Sequence, residues 1–238
     1  MSITKSRWLK IKDSLRRIYH KLPDPPSTNY MFKIPQSPYS LLQQGAVIFD
    51  IGSKDSRGAY AFGTPPTNCK IVCVDIEAGP DVDLVADAHN MDMVESGSVD
   101  CVITISTLEH VRYPQKVIQE VFRILKPGGV LYVSVPFIFP FHSDPYDFYR
   151  FSSDGVEILC EEFERIESGF NRGPASTMCH LLVHFFAMLF SFNNKTLYGV
   201  NVDIFRWLLF WIKYLDAFLG YYQMSKVIHA GAYFLGKK

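Results

Sequence analysis

The feature that most constrains this chain is an acid and a glycine, Asp50 and Gly52, which close an apolar run at residues 46–49. A second apolar run, at residues 70–74, ends in Asp75. Two apolar runs that each end in a carboxylate are typical of neighbouring buried strands whose ends face a common ligand. The pattern predicts an α/β sheet that binds a nucleoside.

The order of acid, glycine and second acid has a chemical reason. A glycine turn after a strand lets the backbone approach a ligand closely, and a carboxylate at the next strand end can accept hydrogen bonds from both ribose hydroxyls. Dinucleotide folds share that second acid, but their pyrophosphate requires an anion-friendly glycine turn. Asp50 would repel a phosphate at this place, so it favours a cationic ligand.

The downstream sequence continues the alternation of strands and helices. Apolar runs predict strands at residues 83–88, 98–106 and 130–136. Apolar residues at helical spacing within 117–125 predict a helix between the last two of these strands. The segment 126–129, Lys-Pro-Gly-Gly, is expected to end that helix in a turn.

In this order the chain resembles the class I S-adenosylmethionine-dependent methyltransferases over residues 45–170. The motifs that carry the resemblance are Asp50-x-Gly52, Asp75, Asp87-Ala88, Leu108-Glu109-His110-Val111 and Leu125-Lys126-Pro127-Gly128-Gly129. The resemblance implies a Rossmann-like, doubly wound seven-stranded α/β sheet with an antiparallel last strand. It places strand six at 163–168, an apolar helical insertion at 171–226, and the last strand at 228–235.

The resemblance also implies which residues hold S-adenosylmethionine. The first acid and glycine would border its methionine part, the second acid its ribose, and the end of the third strand its adenine. The fourth strand would end beneath the sulfonium. The expected cofactor residues are Asp50, Gly52, Ser53, Asp75, Ile76, Asp87, Ala88, Ser106 and His110.

The glycine loop departs from the family pattern D-x-G-x-G-x-G. Lys54 stands at the second glycine, and the third is Asp55 or, displaced, Gly58. A lysine beside a sulfonium is unfavourable unless it points outward or pairs with Asp55.

Residues 136–151 are predicted to bind the methyl acceptor, because loops beyond the carboxyl ends of parallel strands bind ligands in such sheets. The segment resembles the H-x-x-P-x-D-[YF]-[YW]-R-[FY] segment of methyltransferases from bacterial cell-surface glycan gene clusters. His142 or Asp144 would take a proton from an acceptor hydroxyl, and Arg150 would hold a carboxylate or phosphate. The expected catalytic residues are His142, Asp144 and Tyr149, and the expected substrate residues are Glu109, Phe141 and Arg150.

Structural roles stay open for the same segment. Asp147 and Arg150 can pair with each other, and Ser152 or Asp154 can cap a following helix predicted at 155–163. Methyl transfer from a sulfonium is an in-line displacement that often needs only positioning. No metal site is predicted from the sequence.

Composition narrows the classes of protein. The 238 residues are 48% hydrophobic, which suits one domain with a full core. The 24 basic and 24 acidic residues balance, which argues against a nucleic-acid binder because phosphate contacts need a cationic surplus. The five cysteines have no C-x-x-C spacing and are expected to be buried thiols in a reducing compartment.

Residues 1–22 carry seven Lys and Arg residues against one acid, Asp13, and their apolar residues recur at helical spacing. This predicts a basic amphipathic helix that either packs on the domain or contacts anionic lipid. Without an uncharged apolar core it is not expected to be a secretory signal. The proline-rich residues 23–40 are expected to form a linker over the sheet edge or across the cofactor mouth.

Two apolar stretches precede the predicted last strand. Residues 173–194 carry no formal charge, and residues 204–222 are interrupted by Arg206, Lys213 and Asp216. Neither predicts a membrane span, because the apolar core of the first is too short and the second carries three charges. We expect two helices that pack on the sheet, on a second copy of the chain, or on a membrane surface or lipid substrate.

The sequence thus predicts an N-terminal segment, 1–44, and a methyltransferase domain, 45–238. The predicted function is methyl transfer from S-adenosylmethionine to an oxygen or nitrogen of a small, glycan-linked or lipid-linked acceptor, in the cytoplasm at the inner face of the membrane. A homodimer is one expected assembly. The alternative is a non-catalytic protein of the same fold that serves as a partner or membrane-associated subunit. A nicotinamide-dependent oxidoreductase is disfavoured by Asp50 and by the lack of G-x-G-x-x-G.

Overall fold

The structure, a computed structural model, describes residues 23–33, 35–53, 61–143 and 145–238. Seven strands of these residues form a single sheet. The strands are β1 (Val47–Ile51), β2 (Lys70–Asp75), β3 (Leu84–Val85), β4 (Val99–Ile105), β5 (Leu125–Pro136), β6 (Glu164–Arg172) and β7 (Gly231–Lys237).

The sheet has the order β3-β2-β1-β4-β5-β7-β6. The first five strands in this order are parallel, and β7 runs antiparallel to both β5 and β6. The strand order reverses between β1 and β4, and a crevice opens at that point beyond the carboxyl ends of the parallel strands. The predicted doubly wound sheet with an antiparallel last strand is confirmed.

Five α-helices lie in the described residues: α1 (Pro114–Ile124), α2 (Ser153–Leu159), α3 (Pro174–Leu189), α4 (Lys195–Leu209) and α5 (Asp216–Leu219). Short 3₁₀ segments lie at Pro38–Leu41, Phe210–Leu215 and Gln223–Val227. Helix α1 buries Val117, Ile118, Val121 and Ile124, which lie on one face because the helix repeats every 3.6 residues.

The core lies on both faces of the sheet. Phe49 and Ile51 of β1 pack into one cluster with residues of α1 and α2, and Ile48 packs into a second cluster with Tyr132 of β5. Successive side chains of a strand point to opposite faces. Asp50, which is also buried, therefore shares the face of Ile48. Burial on both faces explains why β1 and β4 read as continuous apolar runs.

Several predicted boundaries were wrong. Helix α1 ends at Ile124, and the segment 126–129 lies inside β5 rather than in a turn, with a register shift opposite it between Val99 and Cys101. Only the flanking residues Leu125 and Val130 pair with β4, so these four residues form an irregular part of the strand, where Gly128 has a φ of +77° and bonds to Lys238 at the end of the chain.

The last strands and a helix also differ from expectation. Strand β6 continues to Arg172, beyond the predicted end at residue 168, and β7 starts at Gly231 rather than at residue 228. The helix predicted at 155–163 is α2, and the Oγ of Ser152 accepts a hydrogen bond from the Gly155 N–H at 3.1 Å. The cysteines are free, as predicted, and all but Cys69 are buried.

The apolar helical insertion lies between β6 and β7, as predicted. The carboxylate of Asp216 is fully buried and holds the start of α3. It accepts hydrogen bonds from the backbone N–H groups of Gly173, Ala175 and Ser176 at 3.1, 2.8 and 2.9 Å. A carboxylate at a helix N-terminus also interacts favourably with the helix dipole. Among the described residues, no helix combines the length and apolar character that crossing a bilayer requires.

The linker runs along the sheet edge, the first of its two predicted positions. Met31 forms a bridge with Arg172 of β6, and the Phe32 N–H donates to the Asn171 carbonyl at 3.1 Å. The Lys33 ammonium lies 2.6 Å from the carboxylate of Glu167. The predicted basic helix at 1–22 lies outside the described residues.

Candidate functional site

A cavity of about 560 Å³ opens beyond the carboxyl ends of β1, β2 and β4. Apolar atoms form most of its wall, as expected for a site that encloses an aromatic ligand. It is lined by Ile51, Gly52, Val74, Asp75, Ile76, Glu77, Ala86, Asp87, Ala88, His89, Ser106, Thr107, His110, Val111, Arg112, Pro145, Tyr146 and Phe148.

Seven of the nine expected cofactor residues line this cavity: Gly52, Asp75, Ile76, Asp87, Ala88, Ser106 and His110. Two do not. Asp50 is buried on the other face of the sheet from Ile51, and the Oγ of Ser53 donates to the Asp50 carbonyl at 3.1 Å. Lys54, Asp55 and Gly58 lie outside the described residues.

Position 52 requires a glycine for two reasons, its backbone conformation and the close approach of Thr107. Its φ of +79° lies in the left-handed region, which favours glycine. A Cβ on Gly52 would lie 2.2 Å from the Oγ1 of Thr107, which itself donates to the Ile51 carbonyl at 3.0 Å. The missing side chain therefore leaves room for close packing of two strand ends beside the cavity.

Two carboxylates project from neighbouring strand ends at the cavity. Asp75 closes β2, and its Oδ1 accepts from the Glu77 N–H at 3.0 Å. Asp87 accepts from the N–H of His89 at 2.9 Å and lies 2.6 Å from the His89 ring. Burial alone would raise the pKa of Asp87, but the hydrogen bonds from His89 outweigh it and lower that pKa. Asp87 is thus held in its ionised, accepting form.

This arrangement fits the nucleoside part of S-adenosylmethionine. The carboxylate of Asp75 can accept from ribose hydroxyls, and that of Asp87 from an exocyclic amine. The small side chains of Ala86 and Ala88 leave space between these acids for a flat base.

A second polar group lies next to the cavity, where β4 meets the loop after β5. Glu109 is fully buried, and its Oε1 lies 3.7 Å from the Nε2 of His110 and 3.6 Å from the Nε2 of His142. Neither carboxylate oxygen accepts a hydrogen bond from another described residue. Burial raises the pKa of Glu109 to about 7, against the opposing effects of nearby His110 and Arg150. Sequence reasoning assigned His142 to catalysis, His110 to the cofactor and Glu109 to the substrate; the fold brings all three together.

The alternative that Asp147 and Arg150 pair with each other is confirmed. Both guanidinium Nη atoms of Arg150 bond to the Asp147 carboxylate. The remaining N–H groups of Arg150 donate to the carbonyls of Phe139, Pro140 and Tyr149, so all five donors are in use. Arg150 holds the pKa of Asp147 at about 2. In this geometry Arg150 fixes the loop and has no donor left for the anionic acceptor group that the sequence assigned to it.

Arg172, at the end of β6, was missed by sequence reasoning. Its guanidinium makes no hydrogen bond or ion pair with any described residue, whereas Arg165 of the same strand pairs with Glu157 at 2.9 Å. Burial lowers the pKa of Arg172, while nearby Tyr132 and Glu109 favour its charged form. Strand β6 has no motif that could have drawn attention to it.

The remaining predicted residues lie around the loop. Phe141 is exposed, and the Tyr149 hydroxyl donates to the Arg112 carbonyl at 2.9 Å. Asp144, an expected catalytic residue, lies outside the described residues. Tyr146 and Phe148 line the cofactor cavity and were not assigned to it. The sequence showed that this loop is rich in aromatic residues, but it did not show that the loop turns these two side chains toward the cofactor cavity.

Comparison with known proteins agrees with this geometry. Residues 49–133 match the family model described as a methyltransferase domain. Thiol S-methyltransferase TMT1B of Rattus norvegicus is 34% identical over an alignment that covers 28% of this chain and 34% of that protein. The chain therefore spans about a third of the length of this curated relative.

Two solved structures share the fold. Phosphoethanolamine N-methyltransferase 2 of Haemonchus contortus, in complex with S-adenosyl-L-methionine, superposes with a TM-score of 0.52 at 16% identity over 84% of this chain and 50% of that one. The [4+2]-cyclase SpnF superposes with a TM-score of 0.50 at 15% identity over 83% of this chain and 76% of that one.

The strand order, the antiparallel β7 and a cavity bounded by a glycine and two strand-end acids define a nucleoside-binding α/β protein of the methyltransferase type. Residues 49–133 match a methyltransferase domain, and the sheet has the fold of S-adenosylmethionine-dependent methyltransferases, so the cofactor that the domain and its cavity indicate is S-adenosylmethionine.

Proposed function

We propose that this chain transfers a methyl group from S-adenosylmethionine to an oxygen of a small, glycan-linked or lipid-linked acceptor that carries an anionic group. The observation that carries the proposal is the position of buried Glu109, with His110 and His142 around it, at the edge of the cofactor cavity. A basic group is needed there if the acceptor is a hydroxyl, because a neutral hydroxyl is a poor nucleophile.

The residues supply positioning and a proton acceptor. When bound, S-adenosylmethionine supplies the methyl group: the acceptor oxygen forms a C–O bond as the S–CH₃ bond breaks, and S-adenosylhomocysteine leaves with the electron pair. The acceptor proton passes to the cluster of Glu109, His110 and His142. The Asp147–Arg150 pair fixes the loop that carries His142, whose backbone N–H donates to Asp147 at 2.8 Å.

Arg172 supports an anionic group on the acceptor. A partly buried guanidinium without a protein partner loses hydration and gains nothing in return, unless a ligand supplies the missing acceptors. A carboxylate or phosphate matches its fork of N–H donors. The charge of Arg172 also interacts with that of Glu109, the central residue of the cluster.

The cofactor part of the proposal is tested by calorimetric titration of the full chain with S-adenosylhomocysteine. Asp75→Ala should weaken binding about 100-fold, because two hydrogen bonds to a charge are worth roughly 3 kcal/mol. Glu164→Ala, an exposed acid at the start of β6, is the control. No binding by the folded wild-type chain would instead favour the non-catalytic alternative.

The acceptor part is tested with a panel of hydroxyl compounds that differ only in a carboxylate or phosphate. Arg172→Met should raise the KM for the anionic members at least tenfold and leave S-adenosylhomocysteine binding unchanged. Arg165→Met, on the same strand but paired with Glu157 at the surface, should change neither. Equal KM values for charged and uncharged members in the wild type would contradict the anionic acceptor.

We also propose that the protein works in the cytoplasm and contacts the inner face of the membrane. The insertion exposes many large apolar side chains, including Trp207, Trp211 and Phe218, and tryptophan and tyrosine favour the membrane interface. The basic residues 1–22 would add attraction to anionic lipid. Sedimentation with anionic and neutral vesicles tests this: equal recovery in the supernatant with both would contradict it.

A further inference from the structure

The cluster of Glu109, His110 and His142 has a feature that proton transfer does not require. One ligand atom of each residue lies within 4.8 Å of the others, and the two imidazole rings are 5.0 Å apart. The three side chains come from two loops that meet only in the fold, at the ends of β4 and β5. The ligand atoms of the three side chains therefore lie close together.

The buried carboxylate in this cluster lacks a partner. Glu109 is fully buried, and both of its oxygens are without a hydrogen bond from another described residue. Burying such a group is costly unless a proton or a cation compensates its charge. The two histidine nitrogens that face it, at 3.6 and 3.7 Å, are too distant to hydrogen-bond with it.

The histidines are oriented through their other nitrogens. The Nδ1 of His110 lies 2.5 Å from the Tyr146 carbonyl, and the Nδ1 of His142 lies 3.1 Å from the Pro140 carbonyl. A carbonyl only accepts, so the Nδ1 of His110 carries the hydrogen and its Nε2 keeps a lone pair, which faces Glu109. At His142 the Pro140 carbonyl favours the same arrangement, since it lies nearer to Nδ1 than the Arg150 Nη2, which is 3.4 Å away. The Asp147 carboxylate, 3.6 Å from the Nδ1 of His142, favours the same tautomer. Metal-ligating histidines are oriented by backbone carbonyls in this way.

The distances fit a shared metal ion. Ligand atoms about 2.0–2.1 Å from a tetrahedral ion lie about 3.4 Å from one another. The separations of 3.6 and 3.7 Å between Glu109 Oε1 and the two Nε2 atoms need only a small contraction to reach that value, and the ligand atoms of the two histidines lie within 4.8 Å of each other. Two imidazoles and one carboxylate are a donor set for Zn²⁺, Fe²⁺ or Mn²⁺ rather than for Mg²⁺ or Ca²⁺.

We propose that Glu109, His110 and His142 bind one divalent transition-metal ion, with an open coordination position toward the cofactor cavity that His110 lines. The charge of Asp147 is already neutralised by Arg150, and Arg172 interacts electrostatically with Glu109. The cationic surroundings therefore favour an anion as the remaining ligand. If the proposed function holds, that ligand is the acceptor oxygen: the ion lowers its pKa, and the proton passes to solvent, because the ion then holds the lone pairs that would accept it in the metal-free chain.

The test uses the full chain, stripped with a chelator and titrated with Zn²⁺ in competition with a chromophoric chelator. We expect one ion per chain at micromolar or tighter affinity, and a visible d–d spectrum when Co²⁺ is used instead. Glu109→Gln and His142→Gln should each weaken binding at least about 100-fold. His184→Gln is the control, because His184 is a partly buried histidine that bonds to the Tyr198 hydroxyl outside the cluster.

The outcomes separate this proposal from the methyltransferase activity. Fewer than one ion per ten chains, or variants that bind Zn²⁺ like the wild type, would overturn the metal site. The Co²⁺ spectrum of the wild-type chain reports nitrogen ligands even if a variant fails to fold. Zn²⁺ binding without S-adenosylhomocysteine binding would contradict only the proposed function. S-adenosylhomocysteine binding by a chain that takes up no ion would contradict only the metal site.

Discussion

Apolar side chains are buried in the strands that end at the cofactor cavity, but many are exposed in the helical insertion. Strands β1 and β4 bury nearly all of their apolar side chains, and the residues that directly follow them, Gly52, Ser106 and Thr107, line the cavity. Helix α4 of the insertion buries none of its residues, and Phe192, Phe218 and Met224 are 83%, 72% and 71% exposed. The sheet completes its own core, whereas the insertion leaves a large apolar surface uncovered by the described residues.

This contrast indicates that the residues that affect ligand binding and the residues that affect local stability lie in different regions. In the sheet, burial fixes the strand ends, and the strand ends fix the ligand groups. In the insertion, polar contacts join the helices to one another and to the linker: Asp216 bonds to the start of α3, Lys213 to the Ser27 carbonyl, and His180 to the Thr28 hydroxyl. Substitutions in the first region should therefore change ligand binding, and substitutions in the second should change local stability.

The largest effect is expected at Gly52. Gly52→Ala should abolish S-adenosylhomocysteine binding measured by calorimetry, because the new Cβ clashes with Thr107 at the cavity wall. Gly45→Ala is a matched control: Gly45 has a similar φ of +77°, but a Cβ there meets nothing within 4 Å. It should cost about 1 kcal/mol of stability and leave binding intact. Normal binding by Gly52→Ala would mean that the cofactor lies elsewhere.

The next effect belongs to the insertion. Asp216→Ala should lower the free energy of unfolding by about 3 kcal/mol, because three backbone N–H groups at the start of α3 lose a charged acceptor. The surface acid Asp203, 3.8 Å from Arg206, is the control, and its replacement by Ala should cost less than about 1 kcal/mol. Urea unfolding measures both. Equal losses in the free energy of unfolding for the two variants would show that the Asp216 carboxylate does not stabilise the insertion.

The third effect depends on pH. Burial lowers the pKa of His180 to about 4, with a smaller contribution from neighbouring His184. The folded chain therefore binds fewer protons than the unfolded chain between pH 6.5 and 4, so stability falls as the pH drops through this range. His180→Gln should remove about 2 kcal/mol of the difference in stability between pH 7 and pH 5. An unchanged difference would place the pH dependence outside the insertion.

The smallest effect concerns the linker. Lys33 donates to Tyr233 and pairs with Glu167, whose pKa it helps to lower although burial acts in the opposite direction. Lys33→Met should reduce stability by less than about 1 kcal/mol, as for other exposed ion pairs. It should nevertheless speed amide exchange at residues 30–33, which Lys126→Met, at the surface pair with Asp100, should not do. Stability from the Glu167 carboxylate should be present above its unfolded pKa and disappear as the pH falls through its lowered folded pKa.

The cofactor half of the site was largely predictable from the sequence. Asp75 and Asp87 close apolar strands, and neighbouring parallel strands bring their ends to one edge of the sheet. Asp50 lies outside the cavity lining because strand alternation turns its side chain to the opposite face from Ile51. A motif identifies a residue, but the register of the strand decides to which face of the sheet its side chain points.

The acceptor half was predictable only as a list of residues. The sequence marked the loop at 136–151 as functional, yet it left open whether Arg150 binds a ligand or pairs with Asp147. The structure commits Arg150 to the loop and leaves Arg172 unpaired. The choice depends on which carboxylates and carbonyls surround each guanidinium, and those neighbours come from distant parts of the chain.

The sequence by itself determined the α/β class, the strand-end acids, the balance of charge and the apolar insertion, because each depends on the local period of apolar residues or on a short motif. Only the tertiary structure decided that Glu109, His110 and His142 meet, that Asp216 caps α3, and that the apolar face of α4 stays exposed. These features depend on long-range packing, since side chains far apart in sequence become neighbours only when the sheet order and its register are fixed.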